Sequence, residues 1–443
     1  MHRRPTERTH RRRLRRVLVA AIATIALAPA LAFAQSAPTI TILINESPWL
    51  AGFEELVTAY EADTGNPVEL NVTPFPGMLQ KSRNAVTAPE SEFDLINLNE
   101  QWYSLFYSAG LVTPILDIDP DFELDPQVIE YAYATRWNSD IGYSTADGEL
   151  YGLPINGNIQ LFFYRADLFE EAGLEAPVTW DDVEAAAEVL HDPPGRVGLV
   201  TRTAPPDWEF QSYLRGFGAS VIEVDDSGTW RVGIADDAAV AALERYIELN
   251  RDFGPANYAS VSQAEALSLM QSDRAAMAHV VGAAAPNFEN PEQSIVQGLT
   301  RATVVPGPTA DSRATMSGIW VMGIPQNLPD DRKQAALDFM RWALTEEAQT
   351  LYARAGAVPV RQDVYEALGQ EDDFRWMEAM AESTPFIEAQ PRVAEAPQII
   401  QAFSDQVAEA LLGQVTPEEA LQAAASEIHR IMAEGGYDLA PLD

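Results

Sequence analysis

Cysteine is absent from the 443 residues, so a disulfide framework, a thiolate metal site and a cysteine nucleophile are all excluded. Lysine is nearly absent: Lys81 and Lys333 stand alone, and arginine supplies the remaining positive charge. Histidine is scarce. Beyond residue 34 only His191, His279 and His429 occur, and none is spaced with another histidine or a glutamate as a zinc pair requires. No metal is expected. The phosphate-cradling G-x-x-x-x-G-K-[ST] and the G-x-S-x-G elbow are missing, and Gly216-Phe217-Gly218 lacks the third glycine of a dinucleotide fingerprint. No cofactor is expected either. Past residue 34 no run approaches the ~18 apolar residues of a membrane-spanning helix.

Positive charge is the next shortage. Residues 1 to 34 hold eight of the 29 basic residues and one of the 66 acids, which leaves 21 against 65 in the remainder, a net of −44. Phosphate backbones would repel such a body, so nucleic-acid binding is excluded as a working reading. GC-rich codon usage and life in salt both account for an acidic, lysine-poor surface. The acids alone do not indicate a glycosidase, because among 65 of them some pair always has plausible spacing.

The first segment reads as an address. Five arginines between Arg11 and Arg16 precede the apolar run Val17 to Leu31 and then Ala32-Phe33-Ala34. That is a secretory signal with cleavage near Ala34, an uncleaved anchor being the alternative. Arg15 stands where a twin-arginine signal has an apolar residue, so the export route stays open. No cysteine follows to carry a lipid. A free, exported, periplasmic protein starting near Gln35 is expected.

The rest alternates between strand and helix periods. Thr39 to Ile44 reads as a strand, and Ser47 as a cap with Pro48 at the first helical position. Phe53, Leu56, Val57 and Tyr60 make a helical face that Gly65 ends. Val68 to Val72 and Asp94 to Leu98 read as further strands, with a helix from Trp102. A second region repeats the pattern. Leu161 to Tyr164 is a strand, Thr179 and Asp182 form a capping box, and Val221 to Val232 is a hairpin about Asp225 to Gly228. Ala275 to Val281 and Ile319 to Ile324 are strands, and Thr416-Pro417-Glu418-Glu419 opens the last helix. The expected fold class is α/β, two Rossmann-like lobes without a flexible linker and with a cleft between them.

Aromatic residues sit beside polar ones at the ends of these strands. The groups are Glu46 with Trp49, Asn99 and Glu100 with Trp102, Asn158 with Gln160, Trp208 with Glu209, and Trp320 after Gly318. Sugars offer C–H faces to aromatic rings and hydroxyls to amides and carboxylates, so this pairing suits a carbohydrate. The other tryptophans read as core, notably Trp180, Trp230 and Trp342, as does His279 in its apolar strand.

Gly148 to Pro154, Phe163 to Leu174 and Pro177 to Asp182 carry a longer signature, G-x-x-Y-G-x-P, then Y-x-x-D-L-F-x-x-A-G-L, then P-x-T-W-D. Here the chain resembles the extracellular solute-binding proteins of ABC sugar importers, the family to which the maltose-binding protein belongs, over nearly all of residues 38 to 435. Arg165 replaces the usual asparagine and is expected at a surface turn.

The resemblance implies a periplasmic-binding-protein fold. Its N-terminal lobe would be residues 38–157 plus 315–368, and its C-terminal lobe 158–314 plus 369–443, with hinge crossings near 156–160, near 304–315 and after about 368. It implies no catalysis: a carbohydrate, from monosaccharide to oligosaccharide or glycoside, is trapped by hinge closure and delivered by a monomer to permease subunits in the inner membrane. Glu46, Trp49 and Asn99 to Trp102 match ligand-contacting loops, Asn158 a hinge contact and Trp208 an aromatic platform. Gly282 matches a strand-end motif, but Ala283 and Ala284 follow where some members carry a stacking aromatic. Trp320 and the segment Gln390-Pro391-Arg392 are expected to compensate. The rival ligands are a polyol, an osmolyte, a polyamine or an acidic or sulfonated sugar, and the rival functions an exported glycosidase or a protein-binding surface module.

Overall fold

The computed structural model describes residues 39–225 and 228–442. The proposed signal segment and residues 226 and 227 of the hairpin turn lie outside the described residues.

Two mixed sheets organise two lobes. The first has the order Val68–Thr73, Ile40–Asn45, Leu95–Asn99, Trp320–Gly323, Gly152–Asn156. The pairings among its first three strands are parallel, and Trp320–Gly323 runs antiparallel to both neighbours. The second sheet has the order Thr300–Thr303, Gln160–Arg165, Ala275–Val281, Val197–Thr201. Both sheets are covered by helices, which is why strands such as Leu95–Asn99 and Ala275–Val281 are buried at every position instead of alternating.

The chain leaves the first sheet after Asn156 and enters the second at Gln160, then returns between Thr303 and Trp320. A short parallel pair, Thr315–Met316 with Ile387–Glu388, ties the returning segment to a later one.

Local signals act where expected. Gly65 ends the helix Leu50–Thr64 at φ 74°, a left-handed conformation that costs glycine little. Thr179 and Thr416 form reciprocal capping boxes with Asp182 and Glu419. Trp180 stacks on Tyr213 at 3.8 Å, buried in the second lobe.

Three expectations are corrected. The first helix starts at Leu50 with Trp49 at its cap, so Ser47 and Pro48 belong to the preceding turn. Arg165 is buried, not on a surface turn: its guanidinium is clamped between Asp167 and Asp273. Trp342 is half-buried and donates its indole N–H to Asp63, so it caps the core edge of the first lobe instead of filling it.

Candidate functional site

Parallel strands deliver their carboxyl ends to one edge of each sheet, and loops there are free of ladder duties. Asn45 ends the strand Ile40–Asn45 and Glu46 follows it, Asn99 ends the strand Leu95–Asn99 with Gln101 just beyond, and Asn158 follows the strand Gly152–Asn156. From the second lobe come Arg202 after Val197–Thr201, Trp208 on the helix Asp207–Gly216, and Val281 at the end of its strand. All of these line one cavity of about 290 Å³ between the lobes.

Aromatic rings form one part of its wall. Trp320 lies 6.1 Å from Trp49 and 6.0 Å from both Phe75 and Trp102, centroid to centroid. Three of these rings, Trp49, Phe75 and Trp320, reach the cavity, whereas Trp102 supports them from behind. Trp208 faces them from the second lobe. Its orientation is fixed twice: its indole N–H donates to the Ser317 carbonyl at 2.8 Å, and the Arg202 guanidinium lies 5.3 Å from the ring centre.

The polar part of the wall is mostly carboxamide. Asn45, Asn99, Gln101, Asn158, Gln263 and Gln390 all contribute. Among the lining side chains only Glu46 and Arg202 are charged. Arg202 is already paired with Glu209, 2.7 Å away in the interior. Burial pushes the Glu209 carboxyl up to about 7 against the opposing pull of Arg202. Carboxamides donate and accept at once, as hydroxyl groups do, so the wall matches a neutral ligand rich in hydroxyls.

The sequence-derived residues fall into distinct places. Glu46, Trp49, Asn99, Asn158, Trp208 and Trp320 line the cavity. Glu100 is fully buried behind it. Its carboxylate accepts from the Ser317 hydroxyl and, at 2.9 Å, from the Gln390 backbone N–H, which pins two crossing segments to the first lobe. Burial raises its pKa, and those donors oppose the shift. Gln160 is likewise interior. It donates to the Trp208 carbonyl at 2.7 Å and accepts from Ser212, so it sets the platform helix in place. Gly282 sits against the Ile159 carbonyl, where a Cβ would come within 2.9 Å. Arg392 lines a separate cavity, where its guanidinium hydrogen-bonds the Tyr143 hydroxyl and lies 4.6 Å from the ring centre.

Phe75, Arg202 and Gln263 were not anticipated. Phe75 opens a helix, Phe75–Thr87, in the stretch between two expected strands for which no element was expected. Arg202 and Gln263 come from positions with no local pattern. The signal that could have found Arg202 is its basic charge in an acidic chain, just past a buried strand.

Residues 45–350 match the model of the bacterial extracellular solute-binding proteins. The mannitol-binding protein of Pseudomonas aeruginosa is 25% identical over 441 residues, covering 91% of this chain and 95% of that protein. A solute-binding protein of an ABC transporter from Agrobacterium radiobacter K84, solved with ribitol, superposes with a TM-score of 0.77 at 21% identity, covering 89% of this chain and 99% of that one. The maltose-bound MalE3 of T. maritima gives 0.78 at 24% identity, covering 89% and 99%.

Proposed function

The chain belongs to the bacterial extracellular solute-binding protein family, whose fold is that of binders and not of enzymes, and on that footing we propose that it captures a small neutral polyol or monosaccharide for an ABC importer. The observation that carries this reading is the wall of the interlobe cavity, six carboxamides beside the rings of Trp49, Trp208 and Trp320, with Glu46 as its one carboxylate. A cavity of about 290 Å³ suits a ligand of five or six carbons better than a long oligosaccharide. The relative of Pseudomonas aeruginosa that aligns along nearly the whole chain is named for mannitol, which fits that size and chemistry.

On this reading the ligand enters an open groove, the lobes close about segments 157–159, 304–319 and 369–375, and the closed form presents its cargo unaltered to permease subunits in the inner membrane. The hinge acts only through the difference in affinity between open and closed states. A micromolar Kd corresponds to about −8 kcal/mol, within reach of a few ring contacts and several hydrogen bonds. The N-terminal segment would carry the protein out of the cytoplasm, to work in the periplasm as a monomer.

The test is a thermal-shift and calorimetric panel of mannitol, ribitol, sorbitol, glucose, maltose and maltotriose. A ligand that binds only the folded state raises its melting temperature. A five- or six-carbon polyol or monosaccharide is expected to bind at micromolar Kd and to be recovered unchanged. Binding by maltotriose alone, or conversion of any sugar, would refute the proposal.

A further inference from the structure

A second cavity, of about 340 Å³, lies on the other side of the segment 388–392 from the main one, with Gln390 in the wall of both. The helix Asp207–Gly216 also borders both: Trp208 faces the main cavity, and Gln211 and Arg215 face the second. The second cavity has its own donors. Gln211 is 3% exposed, and its Nε2 has no hydrogen-bond partner among the described residues. A buried donor left without an acceptor costs about 1–3 kcal/mol, so an acceptor is owed at this point. Arg392 faces the same space. Its hydrogen bond goes to the Tyr143 hydroxyl, and no carboxylate lies in ion-pair contact with it among the described residues.

The acids of this cavity are already occupied. Glu388 holds Arg215 at 2.5 Å, and Glu223 pairs with Arg231. What remains is therefore a planar guanidinium with no carboxylate in contact, its charge felt only through space by buried Glu100, and the Gln211 carboxamide N–H, beside the ring of Trp230, which stands edge-on to Tyr143 at 5.4 Å. A guanidinium fork fits a carboxylate, and a ring face fits a short carbon chain.

We propose that this cavity is a second binding site, for a small organic carboxylate, held by Arg392 and Gln211 and separate from the interlobe site. Its position against the segment shared by both cavities would let occupancy of one be felt at the other.

Gluconate is a suitable probe, because it differs from sorbitol in bearing a carboxylate. Calorimetry would be run on the mature protein and on the variants Arg392→Met, Gln211→Leu and Trp320→Ala, each first checked for a cooperative melt. Gluconate is expected to bind the wild type at millimolar Kd or tighter. Affinity should fall at least tenfold in Arg392→Met and in Gln211→Leu, and stay within threefold in Trp320→Ala. Gln211→Leu removes a stranded donor, so it should fold even if Arg392→Met does not. Absence of wild-type binding, loss in Trp320→Ala, or retention in Gln211→Leu would each overturn the site.

Discussion

Gln101 and Asp207 meet across the two lobes, the Gln101 side-chain amide donating a 2.8 Å hydrogen bond to the Asp207 carboxylate. Gln101 follows a strand of the first sheet, and Asp207 opens the helix after a strand of the second. Gln101 also reaches Gln390 at 3.2 Å, so one side chain touches the first lobe, the second lobe and a crossing segment.

A contact of this kind biases the lobes toward the arrangement in which it forms. Asp207 does not line the cavity, so its removal takes away no direct contact with the ligand and leaves Gln101, which does line it, held by Gln390. Burial raises the pKa of Asp207, which makes its charge an unfavourable one to keep. Asp207→Leu is therefore expected to fold. A hydrogen bond is worth about 0.5–1.5 kcal/mol net, so ligand affinity should fall roughly threefold to tenfold. Calorimetry on the best ligand of the panel checks this, and an unchanged Kd would mean that the contact has no share in closure.

His279 offers a prediction in pH. It sits within the strand Ala275–Val281, fully buried, and desolvation pulls its pKa down to about 3. In the unfolded chain it titrates near ~6.5. Below that value the unfolded state takes up a proton that the folded state refuses, so stability is lost as pH falls through the window from ~6.5 toward 3. By pH 4 the loss from this residue alone is about 3 kcal/mol. His279→Leu should flatten the limb by that amount. Its cost at neutral pH is expected to be small, because Gln160 Oε1, 3.3 Å from the imidazole, also accepts from Ser212 and from the Met316 N–H. Urea denaturation of both proteins at pH 4 and pH 7 measures the difference. Parallel losses would mean that other groups set the acid limb.

How much of this was legible in the sequence depends on the range of the forces involved. The capping boxes at Thr179 and Thr416, the glycine stop at Gly65 and the buried strand around His279 are written within a few residues, and they were readable. The pairing of aromatic and amide residues at strand ends was readable too, because loop position follows from strand direction. Burial by distant chain was not. Glu100 and Gln160 have the composition of ligand contacts, yet segments distant in sequence cover them, Ser317 the first and Trp208 the second. Arg165 looks like a turn residue until Asp273 is brought against it. Phe75 reaches the cavity only because Trp102 and Trp320 stand beside it, a fact of the folded lobe alone.

Gly318 is the sharpest probe of the platform. A Cβ there would fall 2.7 Å from Cζ2 of Trp208 and 3.4 Å from Nδ2 of Asn158. The glycine is thus demanded by a close approach. Trp208 cannot simply yield, since its indole N–H is held by the carbonyl of the adjacent Ser317. Gly318→Ala should tilt the indole toward the cavity and break that hydrogen bond. Overpacking of this sort costs about 1–3 kcal/mol, which a lowered melting temperature would register. The larger effect should be on binding, about tenfold or more, because the displaced ring occupies ligand space. Adding Trp208→Phe removes the clashing part of the ring and should restore the melting temperature while leaving affinity low. If Gly318→Ala alone bound the ligand with wild-type affinity, Trp208 would not be a contact surface for it.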